Sequence, residues 1–129
     1  MRFLKSFSPF FLSTLRIASG LMFLFHGTSK FFGLPQTSQT GTELMSVSGA
    51  VGAVELVAGG LLTAGLLTRP AALIAALTMA VVYVMFRLPG SVYPMLNGGE
   101  LTLMFVFVFL YLSAEGPGPL SIDRMMGRG

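Results

Sequence analysis

A chain of 129 residues has room for one domain, and here 53% of the residues are apolar and only 10% charged. A soluble domain carries roughly 25% charged residues, so too few are present to coat a water-facing shell, and lipid is the expected solvent. Cysteine is absent and histidine occurs once, which excludes disulfides, thiol chemistry and multi-histidine metal sites within the chain; the net charge of +3 has no basic run behind it, so nucleic acid is not an expected partner.

Four apolar runs can be followed along the chain. The first covers residues 7–32. Arg2 and Lys5 before it look like the charged start of an export signal, but the run is longer than a signal's apolar region and contains Arg16, so it is expected to persist as a helix. Gly33-Leu34-Pro35-Gln36 opens a polar loop that runs to about residue 45. The second run covers residues 46–67. Leu67-Thr68-Arg69-Pro70 is a tight turn, with Pro70 where a helix start tolerates a missing N–H. The third run covers residues 70–88. Pro89-Gly90, Pro94 and Asn97-Gly98-Gly99 interrupt the chain before the fourth, residues 99–114, which Gly116-Pro117-Gly118-Pro119 ends. A spanning helix needs roughly 17–25 residues, and none of the runs alternates as a strand would. The expected fold is all-α: one domain over residues 1–129, an integral-membrane, antiparallel up-down four-helix transmembrane bundle. Arg2, Lys5, Arg69, Arg124 and Arg128 then lie on one side and Lys30 and Arg87 on the other, which puts both termini in the cytoplasm.

Charges at bilayer depth are expensive and normally face the bundle interior. Counting from residue 8 at 1.5 Å per residue puts Arg16 about 12 Å deep, and counting from residue 46 puts Glu55 roughly 16 Å from the same side of a core about 30 Å thick. An Arg16–Glu55 ion pair near mid-membrane follows, either as a pin for helix register or as part of substrate or proton handling. His26, Lys30 and Glu100 form a second layer near the outer surface, with Tyr93 and Asn97 close by, and are expected to line a pocket open to the outer face. Each has a plainer reading: Lys30 can reach outward to headgroups, His26 can simply face water, and Glu100 can meet the positive end of the fourth helix. Gly20 and Gly27 on the first helix, and Gly52 and Gly59 flanking Glu55 on the second, allow close helix approach. The nine methionines are read as packing and lipid contact.

The segments Leu15-Arg16, Phe25-His26-Gly27 and Lys30-Phe31-Phe32-Gly33 resemble the first helix of the DoxX family. So do Glu55, Gly59-Gly60 and Leu66-Leu67-Thr68-Arg69-Pro70, then Asn97-Gly98-Gly99-Glu100, then Gly116-Pro117-Gly118 and Ser121-Ile122-Asp123. The resemblance runs in order over nearly the whole chain. It implies a multi-pass protein of the bacterial inner membrane with four helices, linked distantly to membrane redox chemistry through a related small subunit of thiosulfate:quinone oxidoreductases. No catalytic mechanism carries over. The matching positions, Arg16, His26, Lys30, Glu55, Arg69 and Glu100, carry over as a polar core.

The leading expectation is a redox-associated subunit, at most an accessory to a membrane oxidoreductase, that holds a quinone-like or other small ligand. His26 would hydrogen-bond a carbonyl or exchange a proton, Arg16 and Glu55 would relay charge, and Phe23, Phe25 and Tyr83 would form aromatic walls. No covalent cofactor or metal is expected; quinone is the candidate ligand. A protein partner or a second copy of the chain is expected, because electrons need another source. The alternatives are a small proton-coupled transporter and a non-catalytic scaffold for a partner complex.

Overall fold

A computed structural model describes residues 2–128 of the chain. Among these residues all regular structure is helical. A short helix α1 (Arg2–Lys5) leads into α2 (Ser8–Phe32), with Pro9 in its first turn. Gly33 closes α2 in the left-handed conformation, and its N–H donates to the Ser29 carbonyl. The loop that follows contains a cis Leu34–Pro35 bond and folds back over the end of α2, where Gly41 N–H donates to the Lys30 carbonyl at 2.9 Å. Ser46 caps α3 (Val47–Ala64) by accepting from Gly49 N–H, and Gly65 closes it.

Helix α4 (Thr68–Val82) has no capping side chain of its own. Asp123 supplies one from the far end of the chain: its carboxylate accepts from Leu67 N–H and Thr68 N–H, each at 2.9 Å. Helix α4 runs on into a π-helical turn (Tyr83–Arg87) and a 3₁₀ turn (Leu88–Gly90) that Pro89 terminates. After the short α5 (Pro94–Asn97) come α6 (Glu100–Glu115) and α7 (Ile122–Met125).

Three helical stretches, Ser8–Phe32, Val47–Ala64 and Thr68–Gly90, are long and apolar enough to cross a membrane by length and composition. Helix α6, at 16 residues, is apolar but shorter. Helix α2 packs along α3, α3 against α4, and α4 against α6, with slight contact between α2 and α6. The α2–α3 seam is set by glycine. A Cβ on Gly20 would stand 2.8 Å from Thr63 N, one on Gly27 2.8 Å from Leu56 N, and one on Gly59 2.7 Å from Leu24 Cα. The two backbones therefore touch directly and run antiparallel. The interior is filled by Phe23, Phe105 and Phe109, with ring centroids 5.0–5.6 Å apart, against Leu62, Leu112 and the small face of α4, Ala72, Ala75 and Ala76. Outward-facing Leu73, Ile74, Leu77, Val81, Val84, Met104 and Phe107 are exposed, so the sides of the helices present an apolar surface.

Candidate functional site

The expected Arg16–Glu55 pair does not form. Level with one another across the seam are residues 20 and 63, 27 and 56, and 24 and 59. In this register Glu55 lies level with residue 28, and Arg16 level with the α3–α4 turn near residue 67. Twelve residues of offset at 1.5 Å each separate the two by about 18 Å along the axis. The depth estimate failed because it started both helices at the membrane edge. About the first three turns of α2 instead project beyond the end of α3.

Each charge has another partner. Arg16 is fully buried at the end of the molecule that also holds the C-terminal tail. Its guanidinium donates to three carbonyls: Leu62 at 2.9 Å, Leu120 at 2.6 Å, and Pro117. Arg69, at the same end, donates to the carbonyls of Ser113 and Ala114, where α6 exposes its unpaired acceptors. Ser13 and Asp123 complete this tail end; Ser13 Oγ accepts from Leu120 N–H at 3.1 Å. Burial alone would raise the Asp123 pKa. The N–H groups of Thr68 and Leu67, which donate to it, and the charge of Arg128 outweigh it and hold the carboxyl below its ordinary value. Arg16 and Arg69 thus tie chain ends together, far from the other polar residues.

Glu55 pairs with Lys30, Nζ to Oε1 at 2.8 Å, and both residues are buried, 4% and 6% exposed. Of the two expectations for Lys30, a place in the outer polar layer or a reach outward to headgroups, the first is met: it turns inward from the last turns of α2. Gly52, one turn before Glu55, leaves room for the lysine stem, for a Cβ there would meet Lys30 Cδ at 3.1 Å.

This pair stands in the wall of a cavity of about 330 Å³ at the loop end. His26, Arg87 and Thr102 add polar groups, while Val51, Met79, Val82, Leu101 and Phe105 are its apolar walls. Thr37, Ser38 and Gln39 of the loop close it from above, with Thr37 tied to Ser29 by a hydroxyl–hydroxyl hydrogen bond of 2.8 Å. His26 is exposed at the cavity rim, its ring edge-on to Phe105 with centroids 6.1 Å apart. The cavity's size is at the lower end of small-molecule sites, and polar side chains outnumber apolar ones in its lining.

Of the expected outer layer, His26 and Lys30 line the cavity and Glu100 does not: it is exposed in the first turn of α6. There a carboxylate meets the helix dipole, as its plainer reading had it. Asn97 serves the loop. Its amide donates to Tyr83 Oη at 3.1 Å and to the Ser91 carbonyl at 3.0 Å, and its oxygen accepts from Gly99 N–H at 2.7 Å. Of the expected aromatic walls, Phe23 is in the core, Tyr83 is held by Asn97, and Phe25 lies outside the cavity; Phe105 takes that place.

Arg87 is the residue the sequence reading missed, having counted it only for topology. The π-helical turn inserts one residue and brings Arg87 into line with Met79 and Val82; in an unbroken α-helix Phe86 would face inward. Phe86 is exposed instead. Nothing in the order Tyr83-Val84-Met85-Phe86-Arg87 signals a π turn. Among the described residues, no cluster of three or more His, Cys, Asp or Glu side chains could hold a metal ion.

Comparison with known proteins places these elements. The DoxX family model matches residues 11–88, from α2 through the π turn. A protein of Haemophilus influenzae, described only as an uncharacterized protein, is 37% identical over 128 residues, covering 95% of this chain and 96% of its own. No solved structure matches.

Proposed function

The chain belongs to the DoxX family, and from that premise we propose a four-span protein of the bacterial inner membrane, both termini cytoplasmic, that holds a quinone-like ligand for a membrane redox complex. Apolar helix sides support the membrane setting. The charge distribution supports the orientation: Arg2, Lys5, Arg16, Arg69, Arg124 and Arg128 belong to the tail end, against Lys30 and Arg87 at the loop end.

The observation that carries the ligand reading is the loop-end cavity with the buried Lys30–Glu55 pair in its wall. A quinone offers two acceptor oxygens and a flat apolar ring. Arg87 and Lys30 are donors to the first, and Phe105 and Met79 pack against the second. His26 at the rim can give or take a proton as the ligand changes redox state. Reduction of a quinone takes two electrons and two protons. The cysteine-free chain can position the ring and move protons, and a partner protein supplies the electrons. Alternating access would require the tail end to open, where Arg16 binds three carbonyls across α3 and the tail; this favours a holding role over a carrier.

The test is purification in mild detergent, with the bound small molecules and proteins identified by mass spectrometry. A quinone retained by the native chain and lost in Lys30→Met is the expected result. Its absence, together with no binding of an added short-chain quinone, would overturn the ligand reading. Reporter fusions at Gln39 and at the C-terminal tail should report opposite compartments, and equal signals would overturn the topology.

A further inference from the structure

The loop-end cavity holds two permanent cations, Lys30 and Arg87, and one carboxylate, Glu55. Glu55 is taken up by Lys30 at 2.8 Å. Arg87 is left over: among the described residues it forms no ion pair, and its Nε, shut off from solvent, has no hydrogen-bond partner. The other acids of this end, Glu43 and Glu100, are exposed and do not line the cavity. The Nε is closed to solvent and so to a ligand as well, but the rest of the guanidinium belongs to a half-buried side chain in the cavity wall, where the π turn puts a cation with no carboxylate of its own.

A second space adjoins the first. A groove of about 250 Å³ runs along one face of α2, lined by Met22, Phe25 and Ser29, with Pro35 above. It shares His26, Thr37 and Gln39 with the cavity, so the two meet at the His26 side chain. Met22 and Phe25 are half-exposed on the side of the molecule, where the four-span reading puts acyl chains.

We propose that the cavity recognises an anionic oxygen headgroup, paired with Arg87, on a lipid-soluble ring compound whose apolar tail lies in the groove beside Met22 and Phe25. This rests on the quinone-like reading and narrows it from a neutral ring to an acidic one, such as an ionised hydroxyquinone. The tail reaches the site from the side, past α2, and the charge stops at Arg87 because the apolar interior begins at Phe105 and Met79.

The test uses the full chain in detergent at neutral pH with two probes, an alkyl hydroxynaphthoquinone, ionised under these conditions, and its neutral methyl ether. The hydroxy compound should bind tighter by about tenfold to a hundredfold, the range of one charge-assisted hydrogen bond. Arg87→Gln should erase the preference and Arg87→Lys should restore part of it. The wild-type comparison stands even if a variant fails to fold. Equal binding of both probes would overturn the anion assignment and leave the quinone reading standing. Binding of dodecanoate but of neither naphthoquinone would uphold the anion site and overturn the ring. Binding of none of the three would overturn both. With a photoreactive group at the tail end of the hydroxy probe, crosslinks should fall on Met22, Phe25 or Pro35; crosslinks confined to α6 would overturn the groove.

Discussion

The Lys30–Glu55 pair can be tested by a double-mutant cycle whose size follows from its geometry. Both side chains are almost wholly buried, and the contact is 2.8 Å. Removing one member of such a pair leaves a charge without its counterion, which typically costs about 3–5 kcal/mol, while replacing both is often near neutral. Here the survivor borders a cavity that admits water, so the lower end applies, about 3 kcal/mol for Lys30→Met or Glu55→Gln alone. The double variant should lose no more than either single variant, about 3 kcal/mol, where independent sites would lose about 6, giving a coupling of about 3 kcal/mol, the upper end of the range measured for contacting residues. Denaturant unfolding in one detergent, followed by circular dichroism, reads all four proteins on one scale. Arg16→Met combined with Glu55→Gln is the control. The two sites share no partner and lie well apart, so their losses should add to within about 0.5 kcal/mol. Additive losses for Lys30 with Glu55, or strong coupling for Arg16 with Glu55, would refute the register derived from the glycine seam.

Asp123→Asn should weaken the tail end by about 1.5–3 kcal/mol at neutral pH, the worth of a hydrogen bond to a charged group. The carboxyl's pKa is held low in the folded chain, so its contribution is fully present above the unfolded value near 3.9 and fades as pH falls through the lower folded value; unfolding curves of the two proteins should converge in strong acid. Gly59→Ala should destabilise by about 1–3 kcal/mol, because the added methyl meets the Leu24 backbone, whereas Gly60→Ala meets nothing within 4 Å and should be neutral or stabilising by up to about 1 kcal/mol. Single cysteines in this cysteine-free chain report the π turn: Arg87→Cys should react with a charged maleimide and Phe86→Cys should not, and deletion of Met85 should exchange the two, as read by mass shift.

The helical character of the apolar runs was legible because burying twenty or so apolar residues at a time leaves the backbone no better way to pair its own polar groups than a helix. Two helix ends were legible too, Gly33 and Gly116, each at a positive φ, whereas the turn expected at residues 67–70 falls earlier, where Gly65 closes α3 and α4 already begins at Thr68. Part of the site could also be read, since His26 and Lys30, expected in one layer, do line one cavity, whereas Glu55 was expected with Arg16 instead. The partners could not. Depth along a helix is a one-dimensional estimate, and it joined Arg16 to Glu55 because it assumed that each helix begins at its own edge of the membrane. The seam is set instead by where glycines permit backbone contact, and Gly20, Gly27 and Gly59 slide α3 toward the C-terminal half of α2.

That slide separates two ways of burying a cation. At the tail end, Arg16 meets neutral carbonyls, with the carboxylate of Asp123 acting on it only at a distance. A guanidinium can do this because its planar fork donates in several directions at once; the residues it joins are far apart in sequence, so its effect is to fasten the tail to α2 and α3. At the loop end, the point charge of Lys30 meets one carboxylate, and the fork of Arg87 is given no protein acceptor for its buried Nε. If Arg87 were structural in the same sense as Arg16, the fold would be expected to turn carbonyls toward it. The π turn does the opposite: it spends one residue of helix to face Arg87 into the cavity and Phe86 outward. The tail end is fastened by the chain itself, and at the loop end Arg87 stands in the cavity wall without a carboxylate, which is the position the proposed anionic headgroup would take.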